Sequence, residues 1–434
     1  MDPTSRVLSA PSKTYAREGA YALALVLAGL FLRLQAFREY GVIRAPDTGG
    51  YFTLAGNLRA NGVLSLDTAP PYRPTVRRVP GYPAFIAAFL GHPDPARGIV
   101  LAQILLDAAL IGIVFALARE LLRPGFAAAA AALYAFHPEA IRYSHTLLSE
   151  SLFTFLLTAA TWVLVAARRR DDLRFAAAGG LLLGAASTVR AIAFVLPFVV
   201  FAPLVLLQPS RRTLSRAAVA AGFSLLLSGP WIIRCSLLAG RFVPLMSGSS
   251  MLTYIGSRLD WDQSNDSAFY PKMLADRAGY CLLTGDCPIS EIVESDKQLS
   301  AETARNIKAA PFRWLLSRVY ALRFLLISSF DHGSSSFAAL SWREDLLKIL
   351  SKAAAASVFS IAPLFLGIWG AWARRREAAA AVCAVQCAFM AAFFVAGFTE
   401  YRFWLPMTPM LFILAAAGAG AIAETRRFCS KDIV

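Results

Sequence analysis

Apolar stretches long enough to cross a bilayer recur from one end of this chain to the other, and they restrict its folds more than any other feature. They lie near 19–37, 98–118, 125–142, 147–167, 217–233, 346–373, 378–397 and 402–423, each close to the roughly 17–25 residues a helix needs to cross the hydrocarbon. A further apolar block, 175–207, is too long for one helix and long enough for a hairpin of two. Hydrophobic residues make up 57% of the 434, and charged residues only 16%. A soluble domain carries about 45–50% and about 25%. The deficit of charge is spread along the whole chain, which excludes a soluble enzyme on a single anchor. The bilayer is the solvent for most of the protein.

Charge sets the topology. The clusters RRRDDLR at 168–174 and RRTLSR at 211–216 flank the long apolar block. Positive flanks favour the cytoplasm, so the block crosses twice and Arg190 falls near its outer turn. The segment 314–331 carries Arg318 and Arg323 within an apolar run. Arg is costly at the bilayer centre, and a crossing here would place the basic RRRE of 374–377 outside. A helix lying on the outer surface keeps the parity. The N-terminus has a basic start and an apolar stretch with no small-residue cleavage site after it, the pattern of an uncleaved signal anchor. The expectation is an all-α polytopic membrane protein: one membrane-embedded domain over 1–434, about ten transmembrane helices, and both termini inside. Two external loops, about 38–97 and about 234–345, carry short interfacial helices.

Net charge is +15, and all but seven of the 43 basic residues are Arg. Guanidinium groups form two-pronged contacts with phosphate. The basic residues are scattered between apolar spans and build no soluble basic face, so nucleic acid is a poor partner. The first loop nevertheless holds seven Arg, an excess on the outer side that binding of an anionic ligand would explain. Cys281 and Cys287 lie in the second loop; an oxidising outer compartment predicts a disulfide there, with a reduced pair as the alternative. Cys383 and Cys387, one turn apart in an apolar helix, read as packing residues. No Cys/His cluster has zinc-site spacing, and neither a metal nor a cofactor is expected.

Several polar residues stand out against this background. Asp47 precedes a short amphipathic helix in which Tyr51, Leu54, Ala55 and Leu58 fall at helical spacing. It either caps that helix or acts as a base, and both roles can hold at once, because a helix N-terminus keeps a carboxylate ionised. RRVPGYP follows: Arg77 and Arg78 stand before a rigid turn into an interfacial helix, placed either to bind an anion or to meet lipid headgroups. Glu150 sits about one turn into a span, a functional site or an interhelical hydrogen bond. Asp107 reads as helix packing. Glu400, Tyr401 and Arg402 stand at the outer mouth of the last span.

Together these pieces resemble the GT-C superfamily of membrane glycosyltransferases, in the branch of protein O-mannosyltransferases and aminoarabinose transferases. Four stretches carry the resemblance, in order from about residue 20 to 423: the loop-one acid with Tyr51, the RxPGYP unit from Arg78 to Pro83, GPWIIRCSLLAGRFVPLMSGSSMLTYIGS at 229–257, and YRFWLPMTPML near the end. The chain departs from that pattern at Thr48, where many relatives have a second acid, and at Cys235, where Asn is usual; it lacks an Asp-x-Asp motif. The resemblance implies a metal-independent, inverting transfer of a hexose or pentose from a polyprenyl-phosphate donor to an acceptor hydroxyl. Asp47 would be the general base with Glu150 in support. Arg78, Arg77, Arg190 and Arg402 would bind the donor phosphate, and Tyr51, Tyr82 and Tyr401 would line the sugar pocket. The acceptor is a glycan, a lipid or a protein, and the expected setting is a bacterial inner membrane with the site facing the periplasm. The rival readings are a lipid-linked-sugar flippase and a non-catalytic envelope-assembly protein. Transport predicts polar groups through the bilayer depth, whereas these cluster on the external side.

Overall fold

A computed structural model describes residues 13–168, 172–260, 266–326 and 354–431. Among them no β-strand forms. One isolated bridge, Ile43 to Thr146, ties the start of the first loop to the segment before a membrane helix.

Helix α1 (Lys13–Tyr40) enters from the N-terminus. Loop one contributes α2 (Thr48–Asn61) and α3 (Gly81–Ala87). The bundle continues through α4 (Pro95–Arg119), α5 (Pro124–Ala135), the short α6 (Pro138–Ser144) and α7 (Glu150–Ala167). Helices α8 (Leu173–Val189) and α9 (Leu196–Leu207) form the expected hairpin. The backbone breaks at Arg190, which is extended at φ −142° and ψ 120°. Helix α10 (Arg211–Ala239) leads into loop two. That loop folds into α11 (Ser250–Ser257), α12 (Asp266–Ala275), α13 (Arg277–Thr284), α14 (Ile289–Ala309) and α15 (Pro311–Leu326). Helices α16 (Ala354–Ala373), α17 (Ala378–Ala396) and α18 (Thr408–Lys431) complete the bundle.

Seven of these helices are long and apolar enough to cross a membrane, and three shorter apolar ones stand beside them. Together they occupy the expected crossings, with 125–142 divided between α5 and α6. The last span is the hub: 83% of its apolar window is buried, against 11% for α1. Lipid offers no hydrophobic drive to bring helices together, so close backbone approach does that work. A Cβ on Gly184 of α8 would lie 2.7 Å from the Ser224 carbonyl oxygen of α10. Gly370 of α16 and Gly418 of α18 leave even less room between them and the opposite backbones.

Asp107 lies inside the bundle as half of a buried ion pair. Arg33 of α1 donates to it, Tyr134 of α5 donates to its other oxygen at 2.6 Å, and Arg33 also reaches the carbonyls of Gly29 and Ala135. Where a surface helix is expected over 314–331, the described residues form α15 up to Leu326; residues 327–353 lie outside the described part. Phe312, Leu315, Leu316 and Val319 are exposed along it. Arg318 is buried and donates to the Gly397 carbonyl at 2.6 Å, which closes the C-terminal end of α17.

Candidate active site

The sequence builds the site by pinning loop one against the ends of the membrane helices. Asp47 precedes α2 but does not cap it, since its side chain makes no hydrogen bond to the helix start. Thr48 does the local work instead. Its hydroxyl accepts from Ala45 N–H at 2.8 Å and donates to the Leu147 carbonyl at 3.0 Å, which leaves the Asp47 carboxylate turned toward the bundle. The Pro-Gly-Tyr-Pro turn then brings α3 onto the end of α8. A Cβ on Gly81 would lie 2.7 Å from the Thr188 backbone, so only glycine permits this approach, two residues from Arg190.

Helix α10 supplies the second clamp. Trp231 donates from Nε1 to the Leu245 carbonyl at 2.9 Å, and Arg234, stacked on Trp231, donates to the Thr75 carbonyl at 3.0 Å. Cys235 is buried and its thiol faces the same Leu245 carbonyl. Ser247 N–H donates to the Val76 carbonyl at 2.8 Å, and Asp296 of α14 accepts from the Ser247 and Ser250 hydroxyls. Loops one and two are thereby locked together around Arg77.

These contacts enclose a cavity of about 410 Å³ between the bundle and the loops. Asp47, Tyr51, Arg77, Arg78, Glu150, Arg190 and Arg402 all line it. One flank is apolar: Phe393, Phe394, Phe398 and Phe403, with Phe394 and Phe403 stacked at 4.6 Å between ring centres. Tyr82 stands outside the lining. It is fully buried, donates to Gln103 Oε1 at 2.8 Å and meets the Tyr51 ring edge-on. The side chain of Tyr401 lies outside the described part. Cys281 and Cys287 are joined in a disulfide with Cα atoms 5.4 Å apart. The bridged turn carries Gly285, which packs against the Arg77 guanidinium.

Both oxygens of Asp47 are held. Arg78 Nη2 donates to Oδ1 at 2.8 Å and Arg402 Nη1 to Oδ2 at 3.1 Å. Burial alone would raise the Asp47 pKa, but the attraction of Arg78 and Arg402 outweighs it and lowers the group to about 2. Arg402 also pairs with Glu400. Burial disfavours its charge, yet Glu400, Glu150 and Asp47 together hold it protonated. Arg190 donates from Nη2 to Glu150 Oε1 at 2.8 Å and lies 5.7 Å from the ring centres of both Phe153 and Phe403.

Arg77 differs from the other three. It is 6% exposed, and no carboxylate or hydrogen-bond partner meets its guanidinium among the described residues. Burial and the neighbouring Arg78 charge press its pKa down to about 9, against a weaker pull from Asp47. An unpaired buried cation whose side chain lines a cavity is a place for a ligand anion. Metal ligation fits poorly. A divalent cation between Asp47 and Glu150 would face guanidiniums already bonded to both carboxylates. Cys281, Cys287 and Glu291 stand close enough to hold an ion, but the two sulfurs are bonded to each other.

Residues 78–233, just over a third of the chain, match the dolichyl-phosphate-mannose-protein mannosyltransferase family. The oligosaccharyltransferase AglB of Archaeoglobus fulgidus superposes in its apo form with a TM-score of 0.55 at 14% identity, over 96% of this chain and 52% of that one. The chain has the GT-C fold. AglB in complex with an inhibitory peptide and a dolichol-phosphate matches at TM-score 0.55 and 14% identity, over 98% of this chain and 52% of AglB. ArnT from Cupriavidus metallidurans in the apo state is more distant, with a TM-score of 0.39 at 16% identity over 94% and 78% of the two chains. The chain spans about half the length of AglB. No curated protein matches it in sequence.

Reading the sequence missed Asp296, Glu400 as the partner of Arg402, and the aromatic flank. Asp296 leaves no local signal, because its partners are 46 and 49 residues away. The Phe394–Phe403 stack spans the break between two helices. The Ser-Gly-Ser turn at 247–249 lay within a recognised stretch, and its small residues were the available clue.

Proposed function

We propose that this protein transfers a sugar from a polyprenyl-phosphate donor to an acceptor hydroxyl at the outer face of the membrane, without a metal and with inversion. The observation that carries the reading is the cavity itself: an ionised carboxylate, four guanidiniums and an aromatic flank meet where the membrane helices join the external loops. The dolichol-phosphate in the AglB complex supports a lipid phosphate as ligand. Arg168, Arg174, Arg211, Arg212, Arg374 and Arg375 stand at the opposite helix ends. That distribution supports a site facing the periplasm of a bacterial inner membrane.

In this mechanism the donor phosphate settles on Arg77 and recruits Arg78 and Arg402, while the lipid chain leaves along the aromatic flank. As the bond between the anomeric carbon and the phosphate oxygen breaks, its electron pair goes to the phosphate, and the guanidiniums stabilise the added charge in a partly dry site. The acceptor oxygen bonds to the opposite face of the carbon. Its proton passes to Asp47, and polyprenyl phosphate departs. A carboxylate gripped by two guanidiniums is a feeble base. The phosphate competes for Arg78 and Arg402, so donor binding returns Asp47 toward ordinary basicity. General-base help contributes about 10²–10⁴-fold.

The test is release of bare carrier from undecaprenyl-phosphate sugars by the purified full chain. Wild type should release it and Asp47→Asn should lose that release by at least about 10²-fold. Full turnover in the variant would remove Asp47 from the chemistry. Lipid crossing liposomes with the sugar still attached would favour transport.

A further inference from the structure

The Glu150–Arg190 pair is only half used. Glu150 Oε1 and Arg190 Nη2 are bonded to each other, but Glu150 Oε2 and Arg190 Nη1 are both buried and have no hydrogen-bond partner among the described residues. Both side chains line the cavity. An unmet acceptor and an unmet donor therefore stand on neighbouring groups, in a guanidinium held between the rings of Phe153 and Phe403.

Chemistry narrows what completes such a pair. A phosphate would accept from Arg190 but be repelled by Glu150. An ammonium would do the reverse. A hydroxyl donates to one and accepts from the other, and it is the group that a sugar offers in number. This separates Arg190 from the phosphate, whose natural seat is the unpaired Arg77 on the loop side of the cavity.

We infer that Glu150 and Arg190 form a hydroxyl-reading subsite for the sugar carried by the donor. The assignment rests on the lipid-phosphate reading above and names the part of the ligand it did not place. Glu150 and Arg190 are then specificity-determining residues: they reward a sugar with a hydroxyl at one position and reject the analogue lacking it, because removal of that hydroxyl leaves two buried polar groups unmet.

The experiment uses the full chain in nanodiscs and measures binding of bare undecaprenyl phosphate against undecaprenyl phosphate bearing mannose, glucose, galactose or arabinose. At least one sugar-bearing carrier should bind more tightly than the bare one. Glu150→Gln and Arg190→Lys should each lose that excess by roughly 10- to 100-fold. Arg190→Lys, which keeps the charge, should bind the bare carrier about as wild type does, and Glu150→Gln, which frees a cation beside the phosphate, should bind it at least as tightly, so that binding of the bare carrier also shows that the variants are folded. Removing one hydroxyl from the preferred sugar should cause the same loss in wild type and no further loss in Glu150→Gln. Equal weakening of bare and sugar-bearing carriers would overturn the assignment in favour of a phosphate or structural role. So would a deoxy series without effect, which would mean that water fills the pair, or variants altered only in acceptor KM. If the bare carrier does not bind wild type at all, the lipid-phosphate reading itself falls, and this assignment falls with it.

Discussion

Replacing Arg77 by Met should make the protein more stable and less active. At neutral pH the guanidinium stays charged, buried and without a carboxylate partner. A fall from the ordinary guanidinium range to about 9 corresponds to a ceiling of about 5 kcal/mol, at about 1.4 kcal/mol per factor of ten. Relaxation of the side chain and water in the cavity bring the recoverable part to about 1–3 kcal/mol. Met keeps the apolar stem and removes the charge, so Arg77→Met should unfold at a higher temperature than wild type. The sign with pH is fixed. Wild type suffers the full cost at neutral pH and sheds it as pH rises through about 9, so the advantage of the variant should narrow above pH 9. Loss of one donor to the departing phosphate should lower turnover by about 10²–10³-fold. Arg78→Met is the contrast: it strips Asp47 of a partner at 2.8 Å and should lose stability and activity together. Thermal unfolding in detergent, beside the carrier-release assay, separates the two. An Arg77→Met protein that melts earlier than wild type, or turns over at the wild-type rate, would show that the guanidinium is neither unpaired nor waiting for an anion.

Other outcomes follow from the same geometry. Asp47 sits at about 2, below its ordinary 3.8. Its ion pairs therefore stabilise the fold above about pH 4 and are lost as pH falls toward 2; the melting difference between wild type and Asp47→Asn should shrink over that window. Gly81→Ala places a methyl 2.7 Å from the Thr188 backbone and should cost about 1–3 kcal/mol and reduce turnover, as measured by melting and carrier release. Replacing Cys281 and Cys287 together by Ser should cost up to about 2 kcal/mol for so small a ring. It should also raise tryptic cleavage near Arg277 in timed digests.

What could be read in advance was whatever has a local or periodic signature. The crossings and the break at Arg190 between two short helices follow from run length and the expense of charge in hydrocarbon. Loop-one chemistry was legible as residue types: Asp47, Arg77 and Arg78 all line the cavity. Their wiring was not. Nothing near Asp47 in sequence says that Arg402 will reach it from 355 residues away, or that Thr48 rather than Asp47 will settle the start of α2. Arg77 and Arg78 are neighbours in the chain, yet one is paired and the other alone, a distinction made by the folding of loop two over them. Tyr82 shows the same limit: its motif placed the helix, while its hydroxyl turned to Gln103 instead of the cavity.

The buried Arg33–Asp107 pair has a consequence for how the protein is made. Arg33 meets the bilayer 74 residues before its carboxylate is synthesised, and an isolated Arg within a span is penalised during insertion, by up to about 2.5–3.5 kcal/mol at a helix centre. The first helix thus begins as a reluctant guest of the translocon and becomes a settled one only when α4 arrives. Exchanging it for an unrelated anchor would ease that first step and strand an acid in the middle of the finished bundle.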